Sequence, residues 1–403
     1  MAVGMAYNNS VYSPLKLVPK AEVAFTQTKT NQGKGIKRLY HADNLDVLNL
    51  LVSDKEINGK ITLVYIDPPY NTGGAFETRS FKHAYNDCLP IDDYLEFMRK
   101  RLQLLHMLLS NEGSIYVHLD SNMVFHVKVM MDEIFGMQNF KGMITRKKCK
   151  SKNFTRKTYG NISDYILFYS KTDHPVWNRP FETWEDDKIL KEYPYIEEHT
   201  GRRYKKVPIH APGTRNGATG MPWRGMMPPE GKHWQFTPDK LDEMDANGEI
   251  YWSSNGNPRR KVYLDQSNGI PVQDIWLDYL DASNQNTLIT GYPTEKNINM
   301  IKRIIETSSR EGDLVLDCFA GSGTTLVAAE ELGRQWIGVD IGDEAIATIL
   351  ERFKNGSKPM GDYVKKKTKP QTEDLAIFDI ENDNSNETKS AHSPISFDFF
   401  EEL

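Results

Sequence analysis

An acidic residue, two prolines and a tyrosine follow the apolar run ITLVYI at residues 61–66: Asp67, Pro68, Pro69 and Tyr70. An aromatic amino group is a poor nucleophile because its lone pair is delocalised into the ring. Asp67 could accept one N–H of such an amine and the Pro68 carbonyl the other, which would localise the lone pair, and Pro68 has no N–H to compete. The prolines stiffen the loop for an in-line displacement, and Tyr70 could stack on a base taken out of a duplex. A simple turn after a strand is the alternative, but it leaves Tyr70 unexplained.

A glycine-rich turn between a strand and a helix is the second motif, DCFAGSGTT at residues 317–325. Glycines let a ligand approach the backbone, and the helix N-terminus offers free N–H donors. Asp340 ends the next strand, 19 residues after Gly321, where a carboxylate can accept both hydroxyls of a ribose. No lysine follows Gly323, which argues against an ATP site, and Leu326 stands where a dinucleotide site needs a small residue. The motif therefore favours S-adenosylmethionine, which has a ribose and no phosphate, over a tight turn without a ligand.

Strands and helices alternate around both motifs. Apolar residues recur with a helical period between Leu95 and Leu109, and further elements are predicted at 114–120, 122–135, 165–170, 313–317, 324–332 and 336–340. This alternation predicts an α/β fold, a Rossmann-like and mostly parallel sheet with helices on both faces. Between about 175 and 285, Pro, Gly, Trp and short polar–apolar runs replace the pattern, which indicates an inserted, β-rich or irregular domain.

Composition limits the class of protein. The chain has 403 residues, of which 26% are charged and 39% hydrophobic, enough for two or three domains at about 100–200 residues each. No run of about 18 apolar residues and no apolar N-terminal segment occurs, so we expect a cytoplasmic protein without a membrane partner. The three cysteines are widely spaced, which predicts neither a disulfide framework nor a metal site.

Charge is unevenly distributed along the chain. The net charge is -5, but residues 371–403 hold nine acidic residues and one lysine. We predict that the acidic tail, 357–403, is mostly disordered. Residues 141–160 carry eight Lys or Arg and no acid, together with Phe154 and Tyr159. This basic stretch suits a phosphate backbone, and a solvated loop is the alternative.

The two motifs, together with YPTEKNINMIKRII at 292–305, resemble the β class of amino-methylating DNA methyltransferases, which includes modification subunits of restriction systems. The resemblance covers residues 36–356, including LYHADNLDVL, GSIYVHLD, SDYILFYSK and GIPVQDIW in the same order. In that class the catalytic motif precedes the cofactor motif, a circularly permuted order, as it does here. The resemblance implies S-adenosylmethionine as cofactor, double-stranded DNA as partner, base flipping and direct displacement.

The resemblance also implies the roles of individual residues. Asp67, Pro68, Pro69 and Tyr70 would be catalytic, and the cofactor would be bound by Asp43, Asn44, Thr294, Lys296, Asp317, Phe319, Gly321, Gly323, Thr324 and Asp340. Asp43 and Asn44 could instead cap a helix. Thr294 and Lys296 match the segment that meets the carboxylate end of the cofactor. The family has Lys-Pro there and this chain has Lys296-Asn297, so we expect weaker preorganisation of the following helix.

Five segments follow from this comparison: an N-terminal extension at 1–35, a catalytic half at 36–174, a target-recognition domain at 175–285, a cofactor half at 286–356 and the tail at 357–403. Candidate DNA contacts are basic residues in the stretch at 141–160 and in the recognition domain: Lys147, Lys148, Lys150, Arg156, Arg202, Arg203, Arg224 and Arg259. For each of them a solvated surface side chain is the alternative.

The target of methylation is the next question. Cytosine C5 chemistry needs a cysteine, typically after proline, and here Asp87, Lys148 and Asp317 precede the cysteines. Adenine N6 and cytosine N4 both remain, and Asp67 at the first motif position is more usual for adenine enzymes of this family. A non-catalytic DNA-binding module is a further alternative, against which both intact motifs argue. A homodimer and a separate restriction subunit are left open.

Overall fold

The computed structural model describes residues 25–29, 35–69, 75–77, 83–86, 90–151, 157–281, 290, 292, 295–355 and 395–402. Tyr70, Thr294 and Arg156 of the predicted site lie outside these residues. The chain forms two compact units, one of residues 1–180 and 273–403 and one of residues 181–272. In the described part of the chain, no helix combines the length and hydropathy of a membrane span.

The strands, in chain order, are β1 Phe25–Lys29, β2 Lys37–His41, β3 Ile61–Ile66, β4 Ala75–Glu77, β5 His83–Asn86, β6 Leu109–Leu119, β7 Phe140–Lys147, β8 Ser163–Ser170, β9 Phe181–Glu182, β10 Tyr195–Ile196, β11 Arg203–Pro208, β12 His210–Pro212, β13 Lys232–Trp234, β14 Ile250–Trp252, β15 Pro258–Tyr263, β16 Ile270–Pro271, β17 Ile275–Trp276, β18 Leu314–Asp317, β19 Gln335–Asp340 and β20 Asp398–Glu402. The helices are α1 Asn44–Ser53, α2 Ile91–Leu108, α3 Val124–Phe135, α4 Asp186–Glu192, α5 Pro238–Ala246, α6 Ile298–Ser308, α7 Thr324–Glu331 and α8 Asp343–Asn355.

The first unit is built on a ten-stranded sheet in the order β1-β20-β2-β19-β18-β3-β6-β8-β7-β17. The six strands from β20 to β6 run parallel to one another, and β8 pairs antiparallel with both β6 and β7. All six residues of β3 are buried, as expected for a strand covered on both faces. The predicted α/β fold with a mostly parallel sheet is confirmed.

Helices cover both faces of this sheet. On one face, α1, α2 and α3 bury Leu48, Leu102 and Val127 in a cluster that includes Val64 and Ile115 of the sheet. On the other face, Phe353 of α8 stacks on Trp336 with ring centroids 5.1 Å apart. Gly338 lies under Leu326 of α7, where a β-carbon would collide with that side chain. Because helices cover both faces, the ends of the strands stay open, and the two motifs lie at these ends.

The C-terminal strand β20 is an ordered part of the segment 357–403, which the sequence predicts to be mostly disordered. It lies between β1 and β2, parallel to β2. Phe400 stacks on Tyr40 at 4.7 Å, whereas Phe397 packs 5.5 Å from Trp336. The acidic composition hid these aromatic side chains, which bury enough apolar surface to order the segment despite its charge. Residues 356–394 lie outside the described part of the chain.

The second unit lies within the stretch that the sequence marks as an insertion. It contains the antiparallel sheet β10-β11-β15-β14 and two two-stranded pairs, β12 with β13 and β9 with β16. Its core is formed by Ile209, Trp223, Trp234, Leu241, Met244 and Ile250. Trp223 and Trp252 stack at 5.3 Å, and both indole N–H groups donate to acidic residues of α5. Aromatic packing therefore stabilises a unit that has little regular secondary structure.

Candidate active site

A cavity of about 370 Å³ lies at the carboxyl ends of β3, β18 and β19. Parallel strands bring their carboxyl ends to one edge of a sheet, so motifs 250 residues apart in sequence meet there. The cavity is lined by most of the predicted site residues: Asp43, Asn44, Asp67, Pro68, Pro69, Lys296, Asp317, Phe319, Gly321, Thr324 and Asp340. Gly323 is the residue before α7, in a left-handed conformation with φ of 73°.

Asp67 is the first residue after β3 and forms an ion pair inside the cavity. Its Oδ2 lies 2.6 Å from Nζ of Lys296, and the two side chains are only 18% and 9% exposed. Side chains held in this way lose little further freedom when a substrate arrives, so the carboxylate is preorganised. Lys296, which the family resemblance assigns to the carboxylate end of the cofactor, thus contacts the predicted catalytic acid, Asp67.

Asp340 braces the glycine-rich turn through both of its carboxylate oxygens. Oδ2 accepts from N–H of Gly321 at 2.8 Å, and Oδ1 accepts from N–H of Gly342 at 2.9 Å. Burial raises the pKa of Asp340, and these two N–H bonds oppose that rise. A further hydrogen bond, from backbone N–H of Ile341, also lowers this pKa, and the carboxylate lines the cavity.

Asp317 ends β18 beneath the turn and is fully buried. Burial raises the pKa of its carboxyl to about 7, against the hydrogen bonds from Thr325 and from N–H of Phe319, which lower it. The negative charges of Asp67 and Asp340 raise it further. Three carboxyl groups therefore share this edge of the sheet, and the pKa of Asp317 lies near neutral pH.

Arg101 was not predicted from the sequence. It lies on α2, is 4% exposed, and donates through Nε to Oδ1 of Asn44 at 2.5 Å. Asn44 in turn donates to the Cys318 carbonyl at 2.7 Å, which ties α1 to the glycine-rich turn. Asp43 caps α1 through N–H of Leu45 and also lines the cavity, so the capping role is confirmed and contact with the cofactor stays a prediction. A sequence signal existed, because Arg101 stands among the apolar positions of the buried face of α2.

A second buried ion pair joins the Lys296 segment to the turn. Oε1 of Glu295 lies 3.2 Å from Arg352 of α8, and these side chains are 4% and 3% exposed. Arg352 also donates to the Ser322 carbonyl and to Oγ1 of Thr324, each at 3.1 Å. Oε2 of Glu295 accepts from N–H and Oγ1 of Thr290 at 2.8 and 2.7 Å. We call the ion pair of Glu295 and Arg352 the latch. It fixes the residue next to Lys296 at the cavity wall.

Comparison with protein-family models identifies the family of this chain. A family model described as DNA methylase, for N6 and N4 methyltransferases, matches residues 61–351. The chain belongs to this DNA methylase family. The matched range contains both motifs and Glu295, and it ends one residue before Arg352.

Curated relatives agree with this assignment. The type II methyltransferase M.EcaI of Enterobacter cloacae is 51% identical over 332 residues, 82% of this chain and 72% of that protein. The Mod subunit of the type III restriction-modification enzyme StyLTI of Salmonella typhimurium is 29% identical over 334 residues, 73% of this chain but 49% of the relative. The DNA adenine methyltransferase YhdJ of Escherichia coli is 25% identical over 352 residues, 86% of this chain and 92% of that protein.

The residues of the methyltransferase fit S-adenosylmethionine, the methyl donor of the family. The Asp340 carboxylate lines the cavity and is the kind of acceptor that ribose hydroxyls need. Lys296 offers a cation to a carboxylate, and Phe319 and Ile341 add apolar lining. No basic side chain other than Lys296 and Arg101 is among the described residues that line the cavity, which suits a ligand without phosphates.

Asp340→Ala is expected to weaken binding of S-adenosylmethionine about 10- to 100-fold, because a carboxylate that accepts two hydroxyls contributes about 1.5–3 kcal/mol. Calorimetric titration measures this, with Asp340→Asn as a control that keeps one acceptor oxygen and should lose less. The DNA sequence that is methylated should not change. Normal cofactor affinity in Asp340→Ala would remove this residue from the binding site.

The raised pKa of Asp317 predicts that the free energy of unfolding depends on pH. The folded protein holds the Asp317 proton up to a pKa of about 7, whereas an unfolded aspartic acid loses it near 3.8. Unfolding therefore releases a proton between these values, so the stability contributed by Asp317 is lost as the pH rises through about 7. Relative to Asp317→Asn, wild type should lose about 2–3 kcal/mol between pH 5 and pH 7. Urea unfolding of both proteins tests this, and a difference that does not vary with pH would contradict it.

The basic stretch at 141–160 is revised by the structure, because residues 140–147 form a sheet strand, β7. Arg146 is fully buried and pairs with Asp281 at 2.6 Å and with Asp164 at 3.4 Å. Lys148, a predicted DNA contact, pairs with Asp164 at 2.8 Å. Two charges of this stretch, those of Arg146 and Lys148, therefore have acidic partners that the local sequence does not reveal. Lys147 is half-buried and Lys150 is exposed.

Two of the four predicted DNA contacts in the second unit also have acidic partners. Arg202 forms a bidentate pair with Asp265 at 2.7 and 2.8 Å. Arg224 pairs with Asp242 at 3.0 Å and with Asp245 at 2.5 Å. Arg203 is half-buried and donates to the Tyr193 carbonyl, whereas Arg259 is exposed. Neutralised arginines add little to an attraction for phosphates, so Arg202 and Arg224 are weak candidates.

Proposed function

We propose that this DNA methyltransferase transfers the methyl group of S-adenosylmethionine to the exocyclic N6 amine of adenine in duplex DNA. The observation that carries the proposal is that Asp67 and the glycine-rich turn line one cavity, with Asp340 on its ribose side and Lys296 beside Asp67. A hydrogen-bond acceptor for the target amine and a binding site for the methyl donor would then lie within reach of each other.

The residues of the chain act by positioning. Asp67 accepts a hydrogen bond from the target amine, and the Pro68 carbonyl at the cavity wall accepts the second, so the nitrogen lone pair is directed at the methyl group. Bound S-adenosylmethionine supplies a methyl group on a positively charged sulfur. Transfer of this methyl group to the nitrogen would release the thioether product and one N–H proton, and the Asp67 carboxylate, already the hydrogen-bond acceptor, would take that proton and pass it to solvent. Lys296 keeps Asp67 in place during this step.

Adenine is favoured over cytosine by the aspartate at the first motif position and by the adenine specificity in the name of the Escherichia coli relative. Cytosine N4 has the same exocyclic amine and stays the alternative. We also infer that a restriction subunit, if one acts with this protein, is a separate chain, since relatives bear the names of modification enzymes and Mod subunits. A homodimer stays a prediction.

The test is incorporation of labelled methyl groups from S-adenosylmethionine into unmethylated DNA, followed by mass spectrometry of the nucleosides. N6-methyladenine is the expected product, and Asp67→Ala serves as the inactive control. N4-methylcytosine would overturn the choice of base, and no incorporation would overturn the activity. Modified-base sequencing of DNA from expressing cells then gives the recognition sequence.

A further inference from the structure

The second unit carries no excess of positive charge, but its charges are segregated. Its two central strands read RYKKVP in β11 and PRRKVY in β15, six basic residues and no acidic one. The acidic residues of the unit lie on α4, α5 and the connecting loops. Central strands normally carry alternating apolar residues, so this concentration of basic residues requires an explanation.

The strand register sorts these basic residues onto two faces. Tyr204 pairs with Tyr263, Lys206 with Lys261, and Pro208 with Arg259, so these side chains share one face. Tyr195 of β10 and Tyr251 of β14 join the same face through their partners Tyr204 and Arg259. The opposite face carries Arg203, Lys205, Arg260, Ile250 and Trp252.

The opposite face packs against the tryptophan-rich core, whereas on the tyrosine-bearing face Tyr204 and Tyr263 are 8% and 4% exposed and Tyr195 is 42% exposed. Ile250 is 5% exposed and belongs to the tryptophan-rich core, against which Trp252 also packs. Arg260 lies 5.4 Å from the ring of Phe236 in the same cluster, and Lys205 pairs with Glu192 at 3.6 Å. The tyrosine-bearing face therefore points away from the core of this unit.

Lys206 and Arg259 are the two cations of the tyrosine-bearing face whose positive charge is not paired with an acidic residue of this unit. Nζ of Lys206 lies 3.6 Å from the ring of Tyr195 and 3.5 Å from that of Tyr251, and Arg259 is exposed. Within residues 181–272, all of which the structure describes, neither forms an ion pair, whereas Lys261 pairs with Glu197. Tyrosine rings hold an ammonium group without adding an opposite net charge. The pKa of His210 is lowered by burial and then by Lys232 and Arg259, which indicates positive charge nearby.

We propose that this face, defined by Tyr195, Lys206, Tyr251 and Arg259, is the surface through which the second unit contacts duplex DNA. The inference rests on the proposed function for its partner and replaces the ion-paired Arg202 and Arg224 as contacts. Lys206 and Arg259 bind phosphates, and the tyrosines provide flat surfaces against sugars and bases. Lys206 is fixed between two rings, so little side-chain entropy is lost when it meets a phosphate.

The experiment compares two neighbouring lysines of β11 in the full-length protein. Lys206→Ala and Lys205→Ala remove the same charge from opposite faces of one strand. Binding of a fluorescent duplex is measured by anisotropy at several salt concentrations. Lys206→Ala combined with Arg259→Ala should weaken binding at least tenfold and reduce the slope of log affinity against log salt by about 2, whereas Lys205→Ala should stay near wild type.

Arg259→Ala alone, at an exposed position, keeps the test valid if the double variant does not fold, and should reduce the slope by about 1. Wild-type affinity and slope in these variants would overturn the inference and leave the face to an acidic protein partner. Methyl transfer by wild type is measured separately. Its absence would overturn the proposed function, while the comparison of DNA affinities still decides the role of this face.

Discussion

Asp67→Asn is expected to reduce methyl transfer at least about 1,000-fold, equivalent to about 4 kcal/mol, with binding of S-adenosylmethionine nearly unchanged. The amide keeps the shape of the carboxylate but loses the negative charge that draws the amine N–H and localises its lone pair. That interaction strengthens as positive charge develops on the nitrogen, so its loss appears in the rate of the chemical step. Lys296 loses its partner at 2.6 Å and remains available to the carboxylate of the cofactor.

Single-turnover kinetics and calorimetric titration separate the two effects. Asp43→Asn is the matched comparison, because it makes the same change at another carboxylate of the cavity. That variant should alter cofactor affinity more than the single-turnover rate, since Asp43 caps α1 beside the turn. If Asp67→Asn lost cofactor affinity as fully as activity, Asp67 would have a binding role, and the proposed chemistry would have to be assigned to other residues.

The sequence predicted the sheet and the position of the site because both depend on local patterns. Apolar strands end in Asp67, Asp317 and Asp340, and parallel strands necessarily bring such ends together. The alternation of strands and helices leaves a period that can be read without knowing which strands pair.

What the sequence did not predict depends on partners that are distant along the chain. Arg146 looked like a free surface charge, yet its partners Asp164 and Asp281 lie 18 and 135 residues away. Strand β20 pairs with β2 more than 350 residues earlier, through aromatic side chains within an acidic stretch. No local pattern encodes such a pairing, so composition indicates a phosphate-binding or solvated stretch at 141–160 and a mostly disordered tail at 357–403.

Arg352→Met is expected to lower both the stability of the protein and its affinity for S-adenosylmethionine. Removing one member of a buried ion pair leaves the other charge without compensation, which costs about 3–5 kcal/mol of the free energy of unfolding. Among the described residues, the Glu295 carboxylate would keep its two hydrogen bonds from Thr290. The Ser322 carbonyl and the Thr324 hydroxyl would lose the donor that holds them, so the glycine-rich turn loosens as well.

Urea unfolding and calorimetric titration measure the two losses, and Arg310→Met provides the control. Arg310 pairs with Glu112 at 3.1 Å, but both side chains are 57% exposed, so the same substitution there should leave stability and cofactor binding close to wild type. Stability in Arg352→Met equal to that of the control would show that the latch contributes nothing to the fold.

The double variant Glu295→Met with Arg352→Met separates stability from positioning. Replacing a whole buried ion pair by apolar side chains is often neutral, because the desolvation cost of both charges disappears. The double variant should therefore recover most of the stability that Arg352→Met loses. It should not recover cofactor affinity if the latch positions Lys296, since neither methionine can bond Thr290, Ser322 or Thr324. Recovery of both properties together would mean that the ion pair only serves the packing of α8 and does not position Lys296.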